Sequence, residues 1–503
     1  MKLEISILSA VLIASPALFS SSPSAAEIDL ERIRASVVKI VNTVQCPSFD
    51  SPWRRPPAGR TLGSGVIISG NRILTSAHVV SDSRFLEVEK ENSDIPYLAR
   101  VAFAAHDCDL ALLEVPDETF FDGTSFLPFS DELPDLGDTV EAYGFPAGGR
   151  MISVTRGIVS RIDYSRYMHS AEDFHLILQI DAALNPGNSG GPVLKDGRIV
   201  GIAFQALPTA ENIGYVVPMT MVRRFLADIA DGTYHGYPDL GIIRSNLLNP
   251  AYRSYLGLQP GRTGVVVNDL LKGFSAEGEI ERGDILLEID GAPIRNDGTI
   301  MLGGHAYFLD EIVERKQAGE EVGFKLLRRG EEKEVTVVLR KMEEIMLRRN
   351  QYDRLPEYFV FAGLVFTPLS RDYLQTWDRW WDRAKKSLLY YFNYYYTDHL
   401  YLERPQVVMM TRVLPAPVNQ YYAGITDEIV QSVNGRPIAT MEDLVKAFEG
   451  NEGDFHVIEF AGESAPLILP AGQAGREHGQ IILRYGIARD RYLDPEIRTW
   501  GTE

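Results

Sequence analysis

Residues 185–192 read Asn-Pro-Gly-Asn-Ser-Gly-Gly-Pro, shortly after an apolar run at 176–180. The glycines on either side of Ser189 allow backbone conformations that other residues resist, so that neighbouring N–H groups can point at one spot. A nucleophilic serine needs such donors for the oxyanion of a tetrahedral intermediate. The stretch therefore predicts Ser189 as a nucleophile, and an ordinary glycine-rich loop is the alternative.

Chain order decides between two kinds of serine enzyme. The Gly-x-Ser-x-Gly pattern around Ser189 also matches the nucleophile elbow of α/β-hydrolases, in which the acid and the histidine follow the serine. Here His78 lies upstream, in a short Ala-His turn after a strand, and Asp109 lies between them at the start of the apolar stretch 110–113. The order histidine, aspartate, serine predicts a chymotrypsin-type serine protease.

Five stretches of the chain carry motifs that belong together. They are Thr75-Ser76-Ala77-His78-Val79-Val80, Asp109-Leu110-Ala111-Leu112-Leu113, Tyr143-Gly144-Phe145-Pro146, Gly187-Asn188-Ser189-Gly190-Gly191-Pro192 and Asn212-Ile213-Gly214-Tyr215-Val216-Val217-Pro218. As a set they resemble the signature blocks of the HtrA/Deg proteases, and the plant-type Deg branch is the most similar. The resemblance implies a mainly β protein, with a chymotrypsin-like double β-barrel protease domain followed by two PDZ domains of the α+β type.

The domain boundaries follow from composition, from an amphipathic helix at 218–230 and from an internal repeat. The stretch 284–294 matches 428–438, because both read as a strand, an Asx-Gly turn and Pro-Ile. The predicted segments are 1–26, a signal peptide; 27–233, a trypsin-like protease domain; 238–341, a first PDZ domain; 356–486, a second, divergent PDZ domain with an aromatic helical insertion at about 372–402; and 487–503, a C-terminal tail.

The resemblance assigns roles to individual residues of the protease domain. Neutral His78 takes the Ser189 proton during attack, and Asp109 fixes the imidazole tautomer and stabilises the imidazolium. The N–H groups of Gly187 and Ser189 are the expected oxyanion donors. Leu184 and Phe204 lie on loops that wall the specificity pocket in the family, and apolar walls favour small or medium aliphatic side chains.

The resemblance also implies roles for one polar stretch and one aromatic pair. Residues 161–175 correspond to the regulatory sensor loop of the family, and a disordered surface loop is the alternative. Phe49 and Trp53 correspond to aromatics that often hold a trimer together, although packing on their own domain is an equal alternative.

The PDZ half contains a candidate peptide site. Leu240, Gly241 and Ile242 resemble the loop that captures a peptide carboxylate, and the peptide would then add as a strand to the sheet edge. The stretch 362–365 occupies the corresponding place in the second PDZ domain but departs further from the pattern. We therefore expect peptide capture by the first domain and an assembly role for the second.

The aromatic insertion is the least typical part of the chain. Its apolar residues recur at helical spacing and predict one helix with one apolar face: Trp377, Trp381, Ala384, Leu388, Tyr391, Phe392 and Tyr395. Three interpretations are open, namely packing on the core of its own PDZ domain, an oligomer interface, and contact with a membrane.

Composition and the first residues of the chain bear on the partners and the location of the protein. The 503 residues carry a net charge of −19, which disfavours nonspecific binding of nucleic acid. Lys2, the apolar segment 5–19 and the small residues at 24–26 predict a cleavable secretory signal and a periplasmic location. An uncleaved anchor is the alternative. Cys46 and Cys108 could pair in an oxidising compartment, but a buried free thiol is the simpler expectation for Cys108.

These observations predict an ATP-independent serine endopeptidase that degrades misfolded or unfolded exported proteins under PDZ regulation. Its partners would be unfolded polypeptides and exposed C-termini, and a homotrimer or a multiple of trimers is expected. No cofactor and no metal is expected, since neither a phosphate-binding loop nor a metal-ligand motif is evident in the sequence. The alternatives are a non-proteolytic chaperone or scaffold, and a regulatory protease with one signalling substrate.

Overall fold

The computed structural model describes residues 30–93, 95–206, 213–341, 347–462 and 465–493. The predicted signal peptide, Asn212 of the fifth motif and residues 494–503 of the predicted tail lie outside the described residues. Strands dominate the described elements, in agreement with a mainly β fold. Among the described residues, no helix has both the length and the apolar character needed to cross a bilayer.

The first sheet of the protease region has seven strands. They are β1 (Val37–Val44), β2 (Gly59–Ile68), β3 (Arg72–Thr75), β4 (Ser83–Glu89), β5 (Tyr97–Leu98), β6 (Arg100–Ala105) and β7 (Leu110–Glu114), in the order β5-β4-β1-β2-β3-β7-β6. Helix α1 (Leu30–Arg34) precedes β1, and α2 (Ala77–Val80) follows β3. Strand β1 is rich in β-branched residues, which fit a pleated and buried surface.

Six strands close the second barrel. They are β8 (Thr139–Gly144), β9 (Ser153–Arg166), β10 (Phe174–Ile180), β11 (Pro192–Lys195), β12 (Arg198–Ala206) and β13 (Gly214–Pro218), in the order β10-β13-β12-β11-β8-β9. Helix α3 (Met219–Asp228) follows and buries Met221, Val222 and Phe225, as the amphipathic pattern predicts. One buried cluster contains side chains of both barrels, among them Leu74 and Phe204, so the two barrels share a core.

The prediction of a long loop at 161–175 is wrong. Strands β9 and β10 form a hairpin whose pairing runs from Phe174 opposite Arg166 to Ile180 opposite Val159. Only residues 167–173 connect the two strands. The polar residues at 161–166 become strand because the apolar strand β10 provides a continuous hydrogen-bonding partner, and burial of Tyr167 anchors the end of the hairpin.

Residues 242–338 form a separate sheet. Its strands are β14 (Ile242–Asn246), β15 (Val265–Leu270), β16 (Ile285–Ile289), β17 (Ala292–Pro293), β20 (Glu321–Arg328) and β21 (Glu331–Val338), and a hairpin of β18 (Thr299–Leu302) and β19 (His305–Phe308) lies beside it. The order is β14-β15-β16-β20-β21, with β17 paired to β16, so β14 is an edge strand. Helices α4 (Pro250–Tyr255) and α5 (Asp310–Glu314) complete this part.

The last sheet contains eight strands. They are β22 (Tyr358–Phe361), β23 (Leu364–Pro368), β24 (Val408–Val413), β25 (Glu428–Val433), β26 (Arg436–Pro437), β27 (Phe455–Phe460), β28 (Leu467–Pro470) and β29 (Arg491–Tyr492), in the order β28-β27-β25-β24-β23-β22-β29 with β26 paired to β25. Helices α9 (Met441–Glu449) and α10 (Ala471–Arg484) pack on it. The predicted tail therefore begins inside the sheet, since β29 pairs with β22.

The aromatic insertion forms three short helices rather than the predicted single one. They are α6 (Arg371–Leu374), α7 (Trp380–Arg383) and α8 (Lys386–Tyr394). The helical conformation is interrupted before α7. Arg379 there has a φ of 54°, a left-handed conformation through which no α-helix continues. Leu388 and Phe392 are buried against the insertion's own sheet, in a cluster with Met409. The first of the three interpretations is confirmed for this face.

The N-terminal loop of the protease region contacts the same part of the molecule. Phe49 packs against the buried cluster of the insertion, and the Trp53 ring lies 6.1 Å from that of Tyr358 on β22. Both aromatic side chains therefore pack against other residues of the same chain. Cys46 and Cys108 are free thiols, Cys46 exposed and Cys108 buried.

Candidate active site

His78 and Asp109 form the best-defined polar pair of the two barrels. The short helix α2 carries His78, and Asp109 precedes β7 with a φ of 53°. His78 Nδ1 lies 2.7 Å from Asp109 Oδ2, and the His78 backbone N–H donates to Asp109 Oδ1 at 2.8 Å. The aspartate thus fixes both the ring and the backbone of the histidine.

The electrostatics of this pair favour the charged forms. Burial acts to raise the pKa of Asp109, but the charge of His78 and the hydrogen bonds from its ring and its backbone outweigh it, so the pKa is lowered. Burial acts to lower the pKa of His78, but the charge of Asp109 and its hydrogen bond outweigh it, so the pKa is raised. An imidazolium at His78 is therefore stabilised, as a general base requires.

The loop around Ser189 is tightly packed against the first barrel. Ser64 of β2 donates its N–H to the Ser189 carbonyl at 2.8 Å and its hydroxyl to the Gly187 carbonyl at 2.7 Å. Gly190 approaches Thr75 so closely that a Cβ there would lie 2.1 Å from Thr75 Oγ1. The serine loop is thus held beside the end of β3, next to the turn that carries His78. Sequence reasoning missed Ser64, although the small residues Gly63 and Gly65 on either side of it are a local signal of close approach.

The Ser189 hydroxyl has a different acceptor from the one that catalysis needs. Ser189 Oγ donates to the carbonyl oxygen of Phe204 at 3.3 Å. Within the described part of the chain, no hydrogen bond joins Ser189 to His78. The structure therefore brings His78 and Asp109 together and places the serine loop beside them, with the hydroxyl turned toward β12.

The two expected oxyanion donors lie in this loop. Gly187 has a φ of 104°, and a Cβ there would lie 2.4 Å from the carbonyl oxygen of Phe145. Only glycine fits such a position without strain. Among the described residues, neither Gly187 N–H nor Ser189 N–H has a hydrogen-bond acceptor, so both are available to a bound oxyanion.

The residues expected in the specificity pocket lie on either side of this loop. Leu184 is half-buried and packs against the core of the second barrel, directly beside Gly214. The Phe204 ring is only 2% exposed and stacks on Tyr167 with the ring centroids 4.8 Å apart. Phe204 therefore contributes its backbone to the serine and its side chain to the shared core.

The stretch around Gly241 adopts a tight turn before the edge strand β14. Gly241 has a φ of 69°, and a Cβ there would lie 2.2 Å from the Cβ of Phe274. Leu240 is buried, and Ile242 begins β14. The Gly241 N–H already donates to Asp239 Oδ1 at 2.8 Å. A peptide carboxylate bound here would replace this internal acceptor.

The corresponding edge of the last sheet is occupied by the chain itself. Ala362 and Gly363 have positive φ values of 48° and 85° and form the turn of a β-hairpin between β22 and β23. Asn419 closes the turn by donating to the Ala362 carbonyl at 2.9 Å. Strand β22 therefore pairs where an added peptide strand would lie, which explains why the sequence departs from the pattern here.

Comparison with known proteins agrees with the fold. Residues 63–202 match the family model of a trypsin-like peptidase domain, and residues 347–494 match that of a PDZ domain. The predicted mainly β fold with a protease domain and a PDZ domain is confirmed. The chain is also similar to the solved structure of the HtrA-type protease AlgW with a tripeptide, with a TM-score of 0.49 at 23% identity, over 64% of this chain and 98% of that one.

Two relatives from Arabidopsis thaliana extend the comparison. Protease Do-like 4, mitochondrial, is 38% identical over 343 residues, which cover 68% of this chain and 66%, just under two thirds, of that protein. Protease Do-like 2, chloroplastic, is 34% identical over 465 residues, which cover 91% of this chain and 75% of that protein. The chain therefore belongs to the HtrA/Deg family of Do-like proteases and is a serine-type endopeptidase with a PDZ domain.

Proposed function

We propose that the protein degrades misfolded or unfolded exported proteins without ATP, and that His78, Asp109 and Ser189 are its catalytic triad. The observation that carries this proposal is the 2.7 Å contact between His78 Nδ1 and Asp109 beside the glycine-rich serine loop. The contact leaves the other ring nitrogen of His78 to accept the serine proton. Gly187 and Ser189 then stabilise the oxyanion through their N–H groups.

Catalysis requires one exchange of hydrogen-bond partner. The Ser189 hydroxyl, which donates to Phe204 in this structure, has to donate to His78 before attack. The hydroxyl proton then moves to His78 as Oγ bonds to the peptide carbonyl, and His78 later gives it to the leaving amine. A neutral hydrogen bond contributes only about 1 kcal/mol net, so binding of a substrate can drive the exchange.

We assign the specificity pocket to Leu184 and to the backbone of Phe204, because the Phe204 side chain is buried in the shared core. The half-buried aliphatic side chain of Leu184 supports a preference for small or medium aliphatic residues before the scissile bond. Cleavage of a library of peptides that differ only at this position tests the preference. A faster cleavage after Lys or Arg would contradict it.

We assign residues 238–341 to a first PDZ domain that binds exposed C-termini at Leu240, Gly241 and Ile242. The unpaired edge of β14 supports this role, because a peptide can add to it as a further strand. The second sheet edge, filled by β22, supports the assignment of peptide binding to the first domain alone.

Contacts between α5 and the protease region support PDZ regulation. Glu314 of α5 lies 2.9 Å from His175 Nδ1 and also accepts the hydroxyl of Tyr164. The His175 ring meets Tyr167 edge-on at 4.9 Å, and Tyr167 stacks on Phe204, whose carbonyl holds Ser189. A continuous path of packed groups thus runs from the helix beside the proposed peptide groove to the serine.

Peptide activation tests this path. A peptide that ends in an apolar residue should accelerate cleavage by the wild type, and His175→Ala should bind it equally but lose the acceleration. His235→Ala is the matched control, since His235 is exposed and pairs with Asp231 on the surface. Equal activation of both variants would contradict the path.

We further propose a periplasmic location and a homotrimer or a multiple of trimers. The sequence of residues 1–26 supports export, and the family supports assembly. Recovery of the protein from the periplasm with an N-terminus near residue 27, and a sedimentation mass of three chains or a multiple, are the expected results. A protein of cytoplasmic origin with its first residues retained, or a monomer, would contradict them.

A further inference from the structure

A strap of residues 347–354 joins the insertion of the second PDZ domain to the catalytic region. At one end, Leu347 is buried in the cluster of the insertion, and its carbonyl accepts the N–H of Arg371 on α6 at 2.9 Å. The Gln351 N–H donates to Asp372 of the same helix at 3.0 Å. The strap is therefore packed against the insertion and hydrogen-bonded to it, and is not a free linker.

The strap also contacts the turn between β9 and β10, through Asn350 and Tyr352. The Tyr352 ring stacks on that of His169, with centroids 3.9 Å apart and 14° between the planes. The Tyr352 hydroxyl and the Asn350 amide both donate to the His169 carbonyl, at 2.9 and 2.8 Å. The Asn350 N–H also donates to the Ser170 carbonyl at 2.9 Å. Four contacts thus fix the position of one short turn.

The strap also binds Asp82, the second residue after α2. Asp82 donates its N–H to Asp353 Oδ1 at 2.6 Å, and Asp353 returns its N–H to Asp82 Oδ1 at 2.9 Å. Asp353 Oδ2 lies 3.0 Å from His106 Nε2, and His106 Nδ1 lies 2.9 Å from His169 Nε2. The helix that carries His78 is thus held from its C-terminal side by the strap that also holds His169.

His169 lies directly beside the catalytic histidine. The ring centroids of His169 and His78 are 6.2 Å apart, and His169 is only 7% exposed. Sequence reasoning missed His169 because a lone histidine in a polar turn carries no motif.

We propose that Tyr352 is a positioning residue for His78, acting through His169 and Asp82, so that the second PDZ domain has to be docked for the protease to be fully active. This inference rests on the proposed role of His78 as general base. The strap holds both neighbours of the imidazole, the turn that packs beside its ring and the end of the helix that carries it. Displacement of the strap frees both at once.

The charges around His169 make the effect measurable. His169 faces His78, Asp109, His106 and Asp107, and Tyr352 covers it. Burial, with repulsion by His106 and His78, outweighs the attraction of the aspartates and lowers the pKa of His169 to about 3, so the ring is neutral in the intact protein. Once exposed, His169 would titrate near neutral pH, and its positive charge would lower the pKa of His78.

The test compares wild type, Tyr352→Phe, Tyr352→Ala and Tyr352→Leu in the full chain. Tyr255→Ala is the control, because Tyr255 is 85% exposed on α4. Two rates are measured against pH: cleavage of a reporter peptide, and phosphonylation of Ser189 by a small fluorophosphonate, which needs the triad but no extended substrate groove.

For Tyr352→Ala we expect kcat and the phosphonylation rate to fall roughly tenfold to a hundredfold, as misplacement of a catalytic group does. KM should stay within about twofold, and the acid limb of the pH profile should move to lower pH. Tyr352→Phe keeps the ring stack and should restore most of the rate. If Tyr352→Ala fails to fold, Tyr352→Leu, which fills the space but does not stack, should show the same losses.

Three outcomes would overturn the proposal. The first is a variant, Tyr352→Ala or Tyr352→Leu, that is phosphonylated at the wild-type rate and has an unchanged acid limb. The second is a change confined to KM, with kcat unaffected. The third is a loss of activity no larger than the fraction of unfolded protein. A wild type that fails to react with the fluorophosphonate would instead refute the proposed triad, so the two failures are distinguishable.

Discussion

Ser189 Oγ donates its hydrogen bond to the backbone carbonyl of Phe204 at 3.3 Å. The nucleophile is therefore connected to β12, whose Phe204 side chain lies in the core that the two barrels share. Meanwhile His78 and Asp109 are already paired at 2.7 Å. In this structure His78 and Asp109 are thus already in the arrangement that the proposed mechanism needs, whereas the Ser189 hydroxyl is not.

The pH profile should have its acid limb above pH 6.5, the ordinary pKa of histidine, because Asp109 raises the pKa of His78. Catalysis needs neutral His78, so activity is lost as the pH falls through this raised value. In Asp109→Asn the limb should move down, and kcat should fall by roughly four orders of magnitude, since the tautomer is no longer fixed. Measurement of kcat/KM against pH for both proteins checks this, and a wild-type limb below pH 6.5 would contradict it.

Gly187→Ala should lower kcat by roughly a hundredfold to a thousandfold, the cost of losing one oxyanion donor. The added Cβ would lie 2.4 Å from the Phe145 carbonyl, so the loop has to shift. Gly197→Ala is a matched control, because Gly197 also has a positive φ but no atom within 4 Å of the added Cβ. Equal losses in the two variants would show that backbone strain, rather than the oxyanion site, is responsible.

Asp239→Ala should tighten binding of a C-terminal peptide by roughly tenfold, because the hydrogen bond of Gly241 to a carboxylate contributes about 1.5 kcal/mol. The Asp239 carboxylate accepts the Gly241 N–H at 2.8 Å and competes with the peptide. Fluorescence anisotropy of a labelled peptide measures the affinity. Weaker binding in the variant would mean that Asp239 organises the loop instead of blocking it.

Two substitutions in the aromatic insertion should differ in their effect on stability. Leu388→Ala removes a fully buried side chain and should cost about 2–5 kcal/mol of unfolding free energy. Trp381 is 59% exposed, and Trp381→Ala should stay within about 1 kcal/mol. Urea unfolding followed by circular dichroism measures both. A large cost for Trp381→Ala, together with a smaller sedimentation mass, would show that the exposed face is an oligomer interface.

The sequence predicts the triad because each of its residues lies in a local motif. Ser189 is flanked by glycines, His78 follows a strand in a short turn, and Asp109 opens an apolar strand, so each signal spans only a few residues. The amphipathic pattern of α3 is equally local. Barrel strands and helix faces of this kind follow from hydrophobic periodicity alone.

Other features escape such reasoning because they depend on partners far along the chain. Tyr352 stacks on His169, a residue more than 180 positions away, and neither carries a motif. Residues 161–166 are polar and are typical of a loop, but pairing with β10 makes them a strand. The spacing of the insertion predicts one helix, whereas the left-handed backbone at Arg379 divides it.

The role of Ser189 as the nucleophile is best measured by cleavage of an unfolded model protein, with the mature wild type and Ser189→Ala side by side. The wild type should cut the unfolded protein and leave its folded form intact. Ser189→Ala should lose activity by several orders of magnitude, because the triad acts as a unit. Equal cleavage by both proteins would show that Ser189 is not the nucleophile.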